Sequence, residues 1–245
     1  MPTRSRRKSG TATRRNRLGT LLAGLVLCAC GAEEPVGRGG QAERVVVLGP
    51  STAETLFALD LGDRIVGVSD YCIDPRAEGL PRVGGQLNPA LERIAALDPD
   101  LVLVQGHHPK VEAWCTRFQV SFLSLKTGSW ENWLDEVEVL GQVFKVQDRA
   151  LGVQAEARAA LDAVRAGDST AVDPPGVLIV ISRPANSVSG LMVAGAGSFL
   201  SELVEAAGGR NLFADNPRDY FDLSEEAIIR AAPDLIFELR PVEDD

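Results

Sequence analysis

The sequence predicts an α/β protein of two lobes, each built on a parallel sheet with helices packed on it, and a cleft between the lobes. Three observations predict it. A ten-residue stretch is used twice: Glu92 to Leu101 and, 134 positions later, Glu226 to Leu235 both fit E-x-I-x4-P-D-L, and both run on into an apolar segment. Such a self-match marks one supersecondary unit built twice. Short apolar runs also alternate with helical patterns around each copy, which is how parallel strands with crossover helices read. A long helical block separates the two halves.

The repeated stretch is a helix-to-strand joint. Glu92 and Glu226 stand in the first turn of a short helix, where the dipole favours a carboxylate. Pro99 and Pro233 end the helix, because the residue before a proline is pushed out of the helical region. Asp-Leu then opens a buried strand. As a bare structural joint, its glutamates would be merely solvated.

The first 30 residues are a different material. Seven positive charges from Arg4 to Arg17 and no acid precede the apolar run Leu18 to Ala29. This is the layout of an export signal, too short to span a membrane. Its end, Leu27-Cys28-Ala29-Cys30, resembles a bacterial lipoprotein signal, with Cys30 as the lipidated residue that anchors the chain to a membrane; Arg14-Arg15 also gives a partial twin-arginine look. Residues 31–43 read as a polar tether. Without the signal, 18 basic residues stand against 34 acidic ones, a net charge of −16. That argues against nucleic acid as a partner and suits docking on a basic protein surface. Cys72 and Cys115 remain; in an oxidising compartment they are candidates for one disulfide, with two separate thiols as the alternative.

The first lobe is assigned to residues 44–128. Arg44 to Gly49 is an apolar strand, and Ser51 with Glu54 is expected to form a capping box for a helix from Thr52 to Leu59. Ile65 to Val68 is the next strand. Asn88-Pro89 is expected to start the first joint helix, with Asn as cap and Pro in the first turn. Leu101 to Val104 and Val120 to Leu125 are strands, with a helix from Val111 to Phe118 between them. A helical linker occupies 129–172: Trp130 to Phe144 carries Trp133, Leu134, Val137, Leu140 and Val143 on one stripe, and Ala150 to Arg165 continues it. Trp130 and Trp133 read as core anchors on that stripe. The second lobe takes 173–245, with a strand at Val177 to Ser182, a helix from Ser198 to Ala207, the second joint capped by Ser224, and a last strand from Leu235.

Several chemistries are poorly supported. No G-x-S-x-G elbow is present, and Gly195-Ala196-Gly197-Ser198 lacks both the following glycine of a nucleophile elbow and the lysine of a phosphate loop. His107 and His108 are adjacent and would not both bind one ion without strain, so no metal site is assigned. What remains is the cleft. Ligands of open parallel sheets sit outside the carboxyl ends of the strands, here Ser69 to Cys72, Gln105 to His108 and the stretch 183–189. Tyr71 and Tyr220 are the only tyrosines. Both read as loop residues, and a ring with a polar tip suits a large ligand of mixed polarity.

Arg44-Val-Val-Val-Leu-Gly-Pro-Ser-Thr-Ala-Glu-Thr-Leu-Phe-Ala-Leu, Val66-Gly-Val-Ser-Asp-Tyr-Cys, Leu80-Pro-Arg-Val-Gly-Gly, Leu91-Glu-Arg-Ile with Pro-Asp-Leu-Val, and Ala207-Gly-Gly-Arg-Asn-Leu-Phe together resemble the cobalamin and ferric-siderophore binding proteins of bacterial ABC importers. The resemblance implies two Rossmann-like lobes joined by one rigid helix, here Ala150 to Arg165. It implies a non-catalytic, monomeric periplasmic or cell-surface protein without a resident cofactor, which carries a ferric siderophore, haem or cobalamin to the permease subunits. The ligand contacts would then be Tyr71, Gln86, His107, His108 and Tyr220. Glu92 and Glu226, one per lobe, would dock on permease arginines, each pair worth about 1 kcal/mol or less but together setting register and on-rate. Three departures stand out. Gln86 and Tyr220 occupy positions where cobalamin binders often carry tryptophan, and His107-His108 suits a haem or iron-chelate contact. The chain also stops where the family continues, so an incomplete second lobe is expected. The rival reading is a secreted, lipid-anchored hydrolase using His107 and a serine.

Overall fold

The computed structural model describes residues 42–167, 173–184 and 190–239. The predicted signal with Cys30, nearly all of the tether, positions 185–189 of the expected cleft wall and the acidic tail lie outside the described residues.

The first sheet has four parallel strands in the order β2-β1-β3-β4, formed by β1 (Val45–Val47), β2 (Ile65–Val68), β3 (Leu101–Gln105) and β4 (Ser121–Leu125). The two central strands read as unbroken apolar runs because both of their faces are covered, as parallel sheets require. Alternate residues feed opposite sides: Val45, Val47, Leu101 and Leu103 join one core cluster, and Val46, Val102 and Val104 the other. The helices α1 (Pro50–Ala58), α2 (Leu91–Ala96) and α3 (Pro109–Phe118) connect the strands.

Two expected caps are absent. At α1 the helix opens on Pro50 with Gly49 as N-cap, and no side chain caps it. Ser51 lies inside the first turn, and its Oγ accepts instead from Gln105 Nε2 at 2.6 Å. At α2 the N-cap is Ala90, again without a side-chain cap. Asn88 and Pro89 belong to a preceding turn, in which Pro89 bridges Gly84.

The joining region holds α4 (Trp130–Phe144) and α5 (Gln147–Arg165). Ser129 caps α4 by accepting from Asn132 N at 3.1 Å, and Lys145 at φ 58° ends it. Gly141 allows the close crossing of the two helices, since a Cβ there would stand 2.6 Å from that of Ala150. Buried Gln154 fixes their register by donating to Leu134 O at 2.7 Å.

The second sheet contains β5 (Gly176–Ser182), β6 (Leu191–Ala194), β7 (Arg210–Asn211), β8 (Tyr220–Leu223) and β9 (Leu235–Glu238), with α6 (Phe199–Ala206) and α7 (Glu225–Ala231). It departs from the all-parallel expectation. β5 is parallel to β7 and β9, but β6 pairs antiparallel with both β5 and β8. Tyr220 is therefore the first residue of a strand, opposite Ala194, rather than part of a loop.

The Asp of each repeated joint does the same work in both sheets. Asp100 accepts from Arg44 N at 3.1 Å, just before β1, and Asp234 accepts from Gly176 N at 2.6 Å, at the start of β5. Each joint thus staples its strand to the opening strand of its own lobe. Charge-assisted bonds to backbone N–H groups are among the stronger ones.

Candidate functional site

The first wall of the site is built at the carboxyl ends of β2 and β3. After β2, buried Ser69 donates its N–H to Val47 O at 3.0 Å. Arg82 pins the following loop, donating to Ser69 O at 3.1 Å and to Cys72 O at 2.6 Å. Asp70 Oδ1 accepts from Gly84 N at 3.0 Å. Gly84 sits at φ +92°, where a side chain would be strained, and a Cβ on Gly85 would stand 2.8 Å from the Tyr71 ring. The two glycines therefore let the segment 82–86 lie against the Tyr71 loop.

This arrangement leaves Tyr71 69% exposed, with its ring lying over Gly85. Gln86 reaches across to donate from Nε2 to Gln105 O at 2.9 Å, so its amide nitrogen braces the wall. His107 is exposed, two residues beyond Gln105, and half-buried His108 is the N-cap residue of α3. The structure thus gathers Tyr71, Gln86, His107 and His108 on one rim through the contacts of Gly85 and Gln105. Exposed Ile73 and Leu87 flank it. The surface offered is aromatic, amide, imidazole and aliphatic, with a phenol oxygen and ring nitrogens as its donor atoms.

Tyr220 comes from the second sheet. Its neighbour Asp219 accepts from Gly195 N at 2.9 Å through its carbonyl, and the Asp219 carboxylate lies against Gly128, which follows β4. There the two lobes touch directly: Phe199 N donates to Gly128 O at 2.5 Å, and Trp130 N donates to Glu202 Oε2 at 3.2 Å. The Gly195–Gly197 segment, which lacks the marks of a nucleophile elbow or a phosphate loop in the sequence, has a packing role. A Cβ at Gly195 would collide with the carbonyls of Arg218 and Asn216, and one at Gly197 with Asp219.

Glu92 and Glu226 stand apart from the rim, each exposed in the first turn of its helix, α2 or α7. The Glu226 carboxyl is held below the usual range by its own backbone N–H and by the Ser224 hydroxyl. Ser224 caps α7, accepting from Ala227 N at 3.3 Å.

A polar group that the sequence reading passed over lies beneath the wall. Glu136 on α4 is 4% exposed and faces Thr52 and Thr55 of α1 and Gln105 of β3. Their polar groups favour its charged form, but burial outweighs them and pushes its pKa up to about 7. A signal was present: Glu136 falls three residues after Trp133 and four before Leu140, on the apolar stripe of α4, where a solvated acid does not belong.

Of the two alternatives for the cysteines, the structure has the separate thiols. Cys72 and Cys115 are free, buried thiols in the two different core clusters. Cys72 packs on one side of the first sheet and Cys115 on the other, so the sheet itself stands between them. Burial, aided by Glu112, pushes the Cys115 thiol up to about 12.

A family model for periplasmic binding proteins matches residues 45–241. The chain belongs to that family. A vitamin B12-binding protein of Vibrio parahaemolyticus is 29% identical over 212 residues, which make up 85% of this chain and 73% of that protein. A periplasmic heme-binding protein of Pseudomonas aeruginosa is 29% identical with a TM-score of 0.72, the match covering 83% of this chain and 74% of the other. The vitamin B12-binding protein BtuF of Vibrio cholerae is 26% identical with a TM-score of 0.66, over 81% and 76% of the two chains. Periplasmic binding proteins have two lobes, and the two sheets described above are those of this fold. The hydrolase reading finds no support in a family of binding proteins. Near the rim, Ser51 Oγ accepts from Gln105 and the Ser124 hydroxyl donates to Gly106 O. Among the described residues no helix of this periplasmic binding protein is long and apolar enough to cross a membrane.

Proposed function

We propose that this periplasmic binding protein captures a metal-bearing macrocycle or chelate (haem, a ferric siderophore or cobalamin) and delivers it to the permease of an ABC importer. Family membership together with the rim of Tyr71, Gln86, His107 and His108 supports the reading. The exposed phenol of Tyr71 and the exposed imidazole of His107 can approach a metal centre, and the aromatic and aliphatic groups beside them suit the flat apolar body of such a ligand. Tyr220 faces the ligand from the second lobe. Cys30 carries the lipid that tethers the chain to a membrane, and the protein works as a monomer without a resident cofactor.

Glu92 and Glu226 dock the permease. Two exposed carboxylates, one on each lobe, accept arginines in one orientation only. The test has two arms. Haemin, a ferric siderophore panel and cyanocobalamin are titrated against the purified protein by tryptophan quenching, and saturable binding of one class is expected. Uptake of that compound is then measured with Glu92→Ala combined with Glu226→Ala, which is expected to abolish uptake at unchanged affinity. No binding by any compound overturns the ligand reading, and a lost affinity in the double variant overturns the docking role.

A further inference from the structure

Beneath the first cleft wall, four side chains from three elements meet in a buried polar cluster. Glu136 enters from α4, Thr52 and Thr55 from the first turns of α1, and Gln105 from the end of β3; none is more than 9% exposed. The donors are partly committed. Gln105 Nε2 donates to Ser51 Oγ at 2.6 Å. The Thr55 hydroxyl donates to Ser51 O at 3.0 Å and accepts from Trp133 Nε1 at 3.2 Å. The Thr52 hydroxyl and Glu136 Oε1 are both buried without a hydrogen-bond partner of ordinary geometry. Two orphaned oxygens in one buried cluster call for an explanation.

The two charge states of Glu136 make different demands. The neutral acid has one proton to give and needs one acceptor, which Thr52 Oγ1 supplies. The carboxylate has two oxygens to satisfy and only two donors within its cluster, the Thr52 hydroxyl and the second N–H of the Gln105 amide. Satisfying it recruits that second N–H, so the Gln105 amide is held by Ser51 and Glu136 together when the carboxyl is ionised and by Ser51 alone when it is neutral. We propose that Glu136 is a positioning residue for the cleft wall, holding Gln105 and the first turn of α1 in one arrangement when neutral and in another when ionised.

Gln105 transmits the change directly, because its own carbonyl accepts Gln86 and the two histidines follow it in the chain. The groups that act on the carboxyl are uncharged on each side: Thr52 and Thr55 from α1, and Gln105 from β3. From α5 the buried polar side chain against α4 is Gln154, already committed to Leu134 O. Among the described residues no charged side chain acts on Glu136, so burial, which already lifts its titration toward neutrality, is opposed only by dipoles. The effect on ligand rests on the function proposed above; the rearrangement of the wall does not.

The test follows the side-chain amide signals of Gln105 and the indole signal of Trp133 by NMR in the ligand-free protein from pH 5 to 9. Both are expected to move in a single transition near neutrality in the native chain and to stay fixed in Glu136→Gln. In Thr52→Val, which deletes one of the two donors, the transition should shift to higher pH. Signals that stay fixed in the native chain, or that move equally in Glu136→Gln, overturn the proposal. Haemin and cyanocobalamin affinities are then measured on either side of the transition. A change of roughly two- to tenfold, the weight of one hydrogen bond, is expected in the native chain and none in Glu136→Gln. If the signals move and neither these two compounds nor any of the ferric siderophore panel binds at any pH, the ligand reading falls and the positioning role of Glu136 stands.

Discussion

Glu136→Gln should abolish a pH dependence of stability that the native chain carries. The carboxyl titrates near pH 7 in the folded protein, against an ordinary value of 4.5. Below about pH 4.5 it is protonated in both states and contributes no difference. Between the two values the folded chain holds a proton that the unfolded chain has released, so stability falls as pH rises, and it levels off above about pH 7. At 1.36 kcal/mol for each unit between the two values, the loss sums to about 3 kcal/mol. Glutamine keeps the shape and cannot ionise. Urea unfolding of both proteins at half-unit steps from pH 4.5 to 8.5 gives the difference directly, and contributions from other titrating groups cancel in it. The variant should gain on the native chain by about 3 kcal/mol between pH 4.5 and 7, and by nothing further above that. A flat difference across the range would refute the placement of Glu136 in a dry environment. A difference of opposite sign would mean that the ionised form is the one stabilised by the fold.

Three further outcomes follow from the packing. Phe144→Ala removes a fully buried ring and should destabilise by about 3–5 kcal/mol in denaturant unfolding. Gly197→Ala forces a methyl group onto Asp219 and the Pro217 carbonyl. It should lower stability by about 1–3 kcal/mol and weaken ligand binding through Tyr220, whereas Gly106→Ala, with nothing near its Cβ, is limited to the strain of its positive φ. In a chain starting at residue 31, Cys72 and Cys115 should both resist iodoacetamide when folded and both react in denaturant without reductant; one or no reactive thiol would restore the disulfide.

The first lobe is more legible in the sequence than the second, and the reasons are physical. Leu101 to Val104 and the stripe of α4 are long or continuous enough for burial to dominate, and their bounds match the structure closely, while the strand read over Arg44 to Gly49 narrows to Val45–Val47. Ser224 reads as a cap because it opens the second joint helix, and it caps in the structure. Ser51 and Asn88 carry the same signal and do not cap, since a nearby proline sets the helix start and a tertiary partner claims the serine hydroxyl. In the second lobe, β6 and β8 are four-residue strands whose pairing is settled by distant neighbours, and short strands obey tertiary context over pattern. The rim residues are legible as strand-end positions. Their grouping is not, because it depends on Gly84, Gly85 and Arg82, whose roles appear only once the loops are folded. Glu136 shows the opposite failure: its signal was present in the helical spacing, but a single acid on a helix reads as surface.

The paired staples of Asp100 and Asp234 bear on how the chain comes together. They close segments of 56 and 58 residues, and loop-closure entropy distinguishes such lengths by only about 0.03 kcal/mol. Neither lobe gains a head start from the closing of its ring. The order in which they settle is therefore left to what each ring encloses. The first encloses β1 and β2, packed on both faces of the first sheet, whereas β9, which follows the second staple, leaves Leu235, Ile236 and Phe237 about half open to water. Two segments matched in length and stapled alike thus sit beside apolar surfaces that are covered to different extents.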